Sequence, residues 1–136
     1  MPDAIESLIP HRAPMRFINA LTNCEEKSAT ATACFSDTDY CVVDGKVLEM
    51  ALVECVAQTV AAALGQRQRS GGEQSREVHG MLVAASNFKI VSHPPAGKVL
   101  HIEVQERRRL GPMLMIAGKI SCDGEIVATG DLSLYA

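Results

Sequence analysis

Apolar residues fill nearly every position of LEMALVECVAQTVAAAL, residues 48 to 64, which predicts a helix buried on most sides. It runs on to about Gly65, and the polar, glycine-broken QRQRSGGEQSRE reads as its exit loop. Elsewhere the period is two. MRFINALTNC, from Met15, and SATATACFS flank the polar EEK and predict a hairpin. HGMLVAASNFKIVS, residues 79 to 92, predicts one extended element, HPPAG a rigid turn, and KVLHIEVQERRRL a cleanly alternating strand. PMLMIAGKISC and EIVATGDLSLY predict a second hairpin around Asp123 and Gly124, a pair suited to a type I′ turn. The opening MPDAIESLIPHRAPM predicts a short helical piece with Asp3 as N-cap, broken by Pro10 and Pro14. Residues 37 to 47, DTDYCVVDGKV, hold the turn formers Asp44 and Gly45 and lead into the long helix.

Two strands, one all-round apolar helix and about four antiparallel strands have one economical packing: a curved sheet that wraps the helix. The expected fold is therefore α+β, a hot-dog architecture, in a single domain over residues 1 to 136. Such a sheet leaves one helix flank and one strand edge uncovered, so two copies are expected to associate.

Composition narrows the function. A hydrophobic content of 47% and a mean hydropathy of +0.08 belong to a compact chain, while 4% aromatics and no Trp argue against a base- or sugar-stacking platform. A net charge of −3 offers nucleic acid no general attraction. The one basic cluster, Arg107 to Arg109, sits beside Glu103 and Glu106 and reads as a solvated strand edge, with docking of an acidic partner as the other reading. The six methionines, Met113 and Met115 among them, read as core filler. Five cysteines, an odd number without zinc-type spacing, and an opening without a signal-peptide pattern point to the reducing cytoplasm. The long helix falls short of the roughly 20 apolar residues a membrane span needs and carries two glutamates, so no span is expected. Nothing in the sequence asks for a metal or a cofactor.

The polar residues of that helix are the candidate chemistry. Glu54 and Gln58 stand four apart and share one face, with Glu49 and Thr59 on neighbouring faces. A carboxylate buried among Leu52, Val53, Cys55, Val56 and Ala57 would have its neutral form favoured, the property a general acid or base needs at neutral pH. The competing reading is a Glu54 that faces solvent or pairs with an arginine. Cys41 and Cys55 read as small core hydrophobes, having no basic neighbour in sequence.

Four blocks, LIPHRAPMRFINAL, LVECVAQTVAAALG, LVAASNFKIVSHPPAGKVLHIEV and GKISCDGEIVATGDLSLY, cover about residues 8 to 135. In order and spacing they resemble the β-hydroxyacyl-acyl-carrier-protein dehydratases of the hot-dog superfamily. The D-G-x-V segment before the helix and the G-M-L strand after it bring the chain closest to the divergent dehydratase-like proteins of aryl-polyene-type pathways. The resemblance implies that Glu54 is the catalytic carboxylate and Gln58 its supporting glutamine. It also implies a histidine from the partner protomer, and a backbone N–H at the helix start that polarises the thioester carbonyl. Two positions depart. The family histidine precedes the carboxylate by fourteen residues, where this chain has Tyr40, and the glycine of the family's Pro-Gly is Glu49 here. His11 belongs to the P-H-R-x-P leader, which the family uses structurally, and His93 and His101 read as surface residues, which leaves His79 as the replacement to consider.

The resemblance implies a cytoplasmic protein that binds acyl thioesters, on acyl carrier protein or coenzyme A, and dehydrates a 3-hydroxyacyl thioester to the 2-enoyl thioester. Its dimer would be a homodimer or a heterodimer with another hot-dog subunit. The absent histidine supports a rival, a non-catalytic partner of an active dehydratase. A thioesterase, with Glu54 activating water, is the third reading.

Overall fold

The structure, a computed structural model, describes residues 4–10, 12–70 and 81–135, the side chains of 68–70 and 81–83 excepted. A short helix α1 (Ile5–Leu8) precedes the hairpin β1 (Ile18–Cys24) and β2 (Ser28–Cys34). A two-stranded ribbon, β3 (Val42–Val43) and β4 (Lys46–Val47), leads into the long helix α2 (Glu49–Ser70). Four strands follow: β5 (Met81–Ile90), β6 (Val99–Leu110), β7 (Met113–Cys122) and β8 (Glu125–Tyr135). The six long strands form one antiparallel sheet in the order β1-β2-β6-β7-β8-β5, so the chain leaves α2 for the far edge and returns to the centre. This is the hot-dog fold that the alternation predicts. No helix among the described residues is long and apolar enough to cross a membrane.

Small residues let α2 seat closely. Ala29, Ala31 and Ala33 of β2 point inward and are buried, as are Ala51, Ala62 and Ala63 of α2. On β7, a Cβ at Gly118 would run into the Val56 side chain of α2. Leu52, Val56, Leu100, Ile102, Ile120 and Leu132 complete a core that is nearly all aliphatic.

Both turns expected from Asp-Gly pairs are present. Asp44 and Gly45 have φ of +52° and +73°, and Asp123 and Gly124 of +52° and +80°, the left-handed pair of a type I′ turn. The helix departs from expectation: α2 continues five residues past Gly65, to Ser70. Gly65 is not a stop signal but a contact, since a Cβ there would sit 2.7 Å from the Leu8 carbonyl oxygen of α1. Gly-to-Ala in a helix normally gains about 1 kcal/mol. Here Gly65→Ala must push α1 away, and it is expected to destabilise by about 1–3 kcal/mol instead, read as a lower denaturant midpoint. Residues 66–70 of the expected exit loop are helical, and the rest of it, with His79, lies outside the described residues.

Three further expectations shift. The first helix has Ala4 at its N-cap, whose carbonyl accepts from Ser7 Oγ at 2.6 Å, and Asp3 lies outside the described residues. β1 starts at Ile18 rather than Met15, because the backbone of Met15 and Phe17 is taken by a side chain of α2. The methionines are not core filler where they are described: Met15, Met50 and Met115 are exposed and Met113 is half-buried. The arginines do lie at a strand edge, since β2 pairs with β6 only as far as Gln105. Arg109 meets the half-buried Glu106 at 3.5 Å, and Arg107, Arg108 and Arg109 are exposed.

Two surfaces stay open. β5 pairs only with β8, and its residues Ala84, Ala85, Ser86 and Asn87 are exposed in succession, so neither face of that stretch is covered among the described residues. On the helix, Met50 is exposed and Val53, Ala57, Ala61 and Leu64 are half-buried, an apolar flank facing the same need.

Candidate functional site

Gln58 is completely buried, and its amide bonds both the leader segment and Glu54 of its own helix. Its Oε1 accepts from the backbone N–H of Phe17 (2.8 Å) and of Ile18 (3.4 Å). Its Nε2 donates to the Met15 carbonyl (2.7 Å) and to Glu54 Oε1 (3.2 Å). The backbone donors and the backbone acceptor fix which end of the amide is which, so the NH₂ must face Glu54. One side chain thus ties the leader to α2 and holds the carboxylate one turn earlier on the same face.

Glu54 is half-buried, not enclosed, which lies between the two readings of the sequence. On the segment that Gln58 holds, three of the chain's five aromatic residues (three Phe, two Tyr) cluster through Phe17. Phe17 meets Phe35 edge-on with centroids 5.4 Å apart and tilts toward Tyr40 at 6.1 Å. Tyr40 is 49% exposed and donates its hydroxyl to Met15 Sδ at 3.3 Å. Partial shielding from water, then the charges of Cys41, Glu54 and Asp39, push its phenol above the ordinary 10.0. At neutral pH Tyr40 is therefore a neutral donor and not a base.

Glu49 opens α2 and is exposed, with its carboxylate in the first turn. N–H groups there lack intrahelical acceptors, which suits an oxyanion, but a carboxylate in the same turn offsets part of the helix's positive end. Thr59 is buried and spends its hydroxyl on the Cys55 carbonyl (2.8 Å). Cys41 and Cys55 are buried, and burial pushes both thiols up, with Asp39 adding at Cys41 and with Cys41 and Glu54 adding at Cys55. They are core hydrophobes rather than nucleophiles. His93 meets the Val47 carbonyl at 3.1 Å, tying the proline turn to β4, and His101 is exposed on β6. His11 and His79 lie outside the described residues.

The structure thus brings Glu54, Gln58 and Tyr40 together and leaves Glu49 at the helix opening. Sequence reasoning missed Met15 and Phe17, whose only signal was membership of the leader block. Two open concavities, of about 720 and 440 Å³, lie on the sheet's outer face, lined by residues such as Thr30, Glu103 and Lys119 and by none of the candidate site residues.

The chain is similar to known proteins over most of its length. The 3-hydroxyacyl-[acyl-carrier-protein] dehydratase FabZ of Bacillus subtilis (strain 168) is 27% identical over 139 residues, covering 95% of this chain and 92% of that protein. The dehydratase heterocomplex ApeI:P from Xenorhabdus doucetiae contains a chain of the same fold, with a TM-score of 0.87, 22% identity, and coverage of 98% of this chain and 90% of that one. A hypothetical thioesterase with coenzyme A from Streptococcus pneumoniae TIGR4 shares the fold more loosely, with a TM-score of 0.66, 11% identity, and coverage of 85% and 83%. The sequence model of the ApeP-like family, described as ApeP dehydratase, matches residues 3–136. Matched over nearly its whole length, the chain belongs to the ApeP-like dehydratase family.

Proposed function

We propose that the chain binds 3-hydroxyacyl thioesters on a carrier, acyl carrier protein or coenzyme A, and that Glu54 performs their dehydration. The observation that carries this is the Gln58 amide, which reaches out of the core to hold one carboxylate at the surface beside an apolar, aromatic corner. Glu54 takes the α-proton and returns it to the departing β-hydroxyl, so that water leaves, the Cα–Cβ double bond forms and the carboxylate is regenerated. Tyr40, a neutral donor, hydrogen-bonds the hydroxyl oxygen. The N–H groups at the opening of α2 face the thioester carbonyl, weakened in that role by Glu49.

A second reading is favoured by Tyr40 itself. A phenol cannot replace an imidazole as base near neutrality, and β5, an edge strand among the described residues, is open to another hot-dog chain. In that reading the chain serves as the partner subunit of an active dehydratase. The ApeI:P assembly, a dehydratase heterocomplex, gives the precedent for such a pair.

Isolated protein supplied with a 3-hydroxyacyl thioester is expected to form the 2-enoyl product slowly, read by mass spectrometry as loss of water. Thioester binding without turnover moves the assignment to the partner subunit. Absence of binding sinks both, and release of the free acid in place of the enoyl thioester restores the thioesterase.

A further inference from the structure

One residue of the leader touches both halves of the candidate site. The Met15 carbonyl receives Gln58 Nε2 at 2.7 Å, and the same nitrogen reaches Glu54 Oε1 at 3.2 Å. The Met15 sulfur receives the Tyr40 hydroxyl at 3.3 Å. The side chain is 54% exposed, so core packing does not account for its place. Phe17, two residues on, bears against the Tyr40 ring and is itself fixed edge-on by Phe35. Leader residues 15 and 17 therefore set both the ring and the hydroxyl of Tyr40, while Gln58 holds the backbone of that same segment.

A thioether is a weak acceptor. A hydroxyl resting on sulfur keeps its orientation but gives up little when a better acceptor arrives, and the oxygen of a substrate alcohol is such an acceptor. We infer that Met15 is a positioning residue: its sulfur parks the Tyr40 hydroxyl on the segment that also fixes Glu54, until the oxygen of a bound 3-hydroxyacyl thioester displaces it. The inference rests on the dehydratase reading above. It gives Met15 a use that neither its exposure nor its residue type announces.

The test pairs kinetics with a spectroscopic probe. Met15→Leu keeps the side-chain volume and removes the acceptor. It is expected to lower kcat for enoyl formation about fivefold, the worth of one ordinary hydrogen bond, with KM unchanged. Tyr40→Phe should do the same, and Met15→Leu added to Tyr40→Phe should cost nothing more. Independent, multiplying losses overturn the proposal. Because the chain has two tyrosines, Tyr40 and Tyr135, protein labelled with tyrosine carrying ¹³C at Cζ gives two ring signals. Met15→Leu should move the Tyr40 signal and lower its titration midpoint while Tyr135 stays in place, and an unmoved Tyr40 overturns the proposal whether or not the isolated chain turns over substrate. If Glu54→Gln leaves enoyl formation untouched, the dehydratase reading fails, and the labelled rings still judge the Met15 contact by itself.

Discussion

Glu54→Gln is expected to lower enoyl formation by about 10²–10⁴-fold, the usual contribution of a group that moves the proton in the transition state. The fold should survive, because glutamine has nearly the same size and keeps an oxygen for Gln58 Nε2, now at 3.2 Å from Glu54 Oε1. The complementary change is a gain. Tyr40→His exchanges a phenol held above its ordinary 10.0 for an imidazole that titrates near 6.5, and it should raise the rate by about 10²-fold or more. The gain must vanish in the double variant Glu54→Gln/Tyr40→His, since the two groups act on one substrate. If Tyr40→His binds thioester but turns over no faster, the chain's own site is not catalytic and the partner-subunit reading stands.

Gln58→Leu is expected to cost about 3–5 kcal/mol of stability, among the larger effects a single substitution produces. Leucine fills the space but strands two backbone N–H groups, of Phe17 and Ile18, and the Met15 carbonyl, each worth about 1–3 kcal/mol when left without a partner in the interior. A urea midpoint that falls with an unchanged slope reports it, and a loss below about 1 kcal/mol would mean that water replaces the amide. Gln58→Glu separates donor from acceptor. Its carboxylate keeps the contact to the N–H groups, faces Glu54 as a like charge and loses the bond to Met15. The new acid should therefore titrate above the unfolded carboxylate, so that stability is present at low pH and drains away as pH rises through that raised value.

Much of this was legible in the sequence because it rests on period and spacing. The alternation in KVLHIEVQERRRL places Leu100, Ile102 and Val104 inward with no knowledge of their partners, and the four-residue step from Glu54 to Gln58 fixes their shared face. What stayed hidden depends on contacts between distant segments. Gly65 has the look of a helix stop, and only the position of Leu8 shows why a small residue is needed there. Met15 and Phe17 sit in a stretch that alternates well enough to be a strand, yet their backbone is taken by a side chain some 40 residues away, a partner that no local pattern encodes. The half-burial of Glu54 was undecidable for the same reason, since it depends on where the leader comes to rest.

The open edge of β5 carries a consequence for how the protein must be produced. A strand that pairs on one side only among the described residues, and whose side chains Ala84 to Asn87 are exposed, is a template for any extended segment, including nascent copies of itself. If the proposed partner subunit covers this edge, a cell that makes more of this chain than of that partner would accumulate orphan subunits with the template exposed, to be cleared by proteases or lost to inclusion bodies. Under that partner-subunit reading, balanced synthesis of the two chains is a requirement of solubility, independent of any turnover.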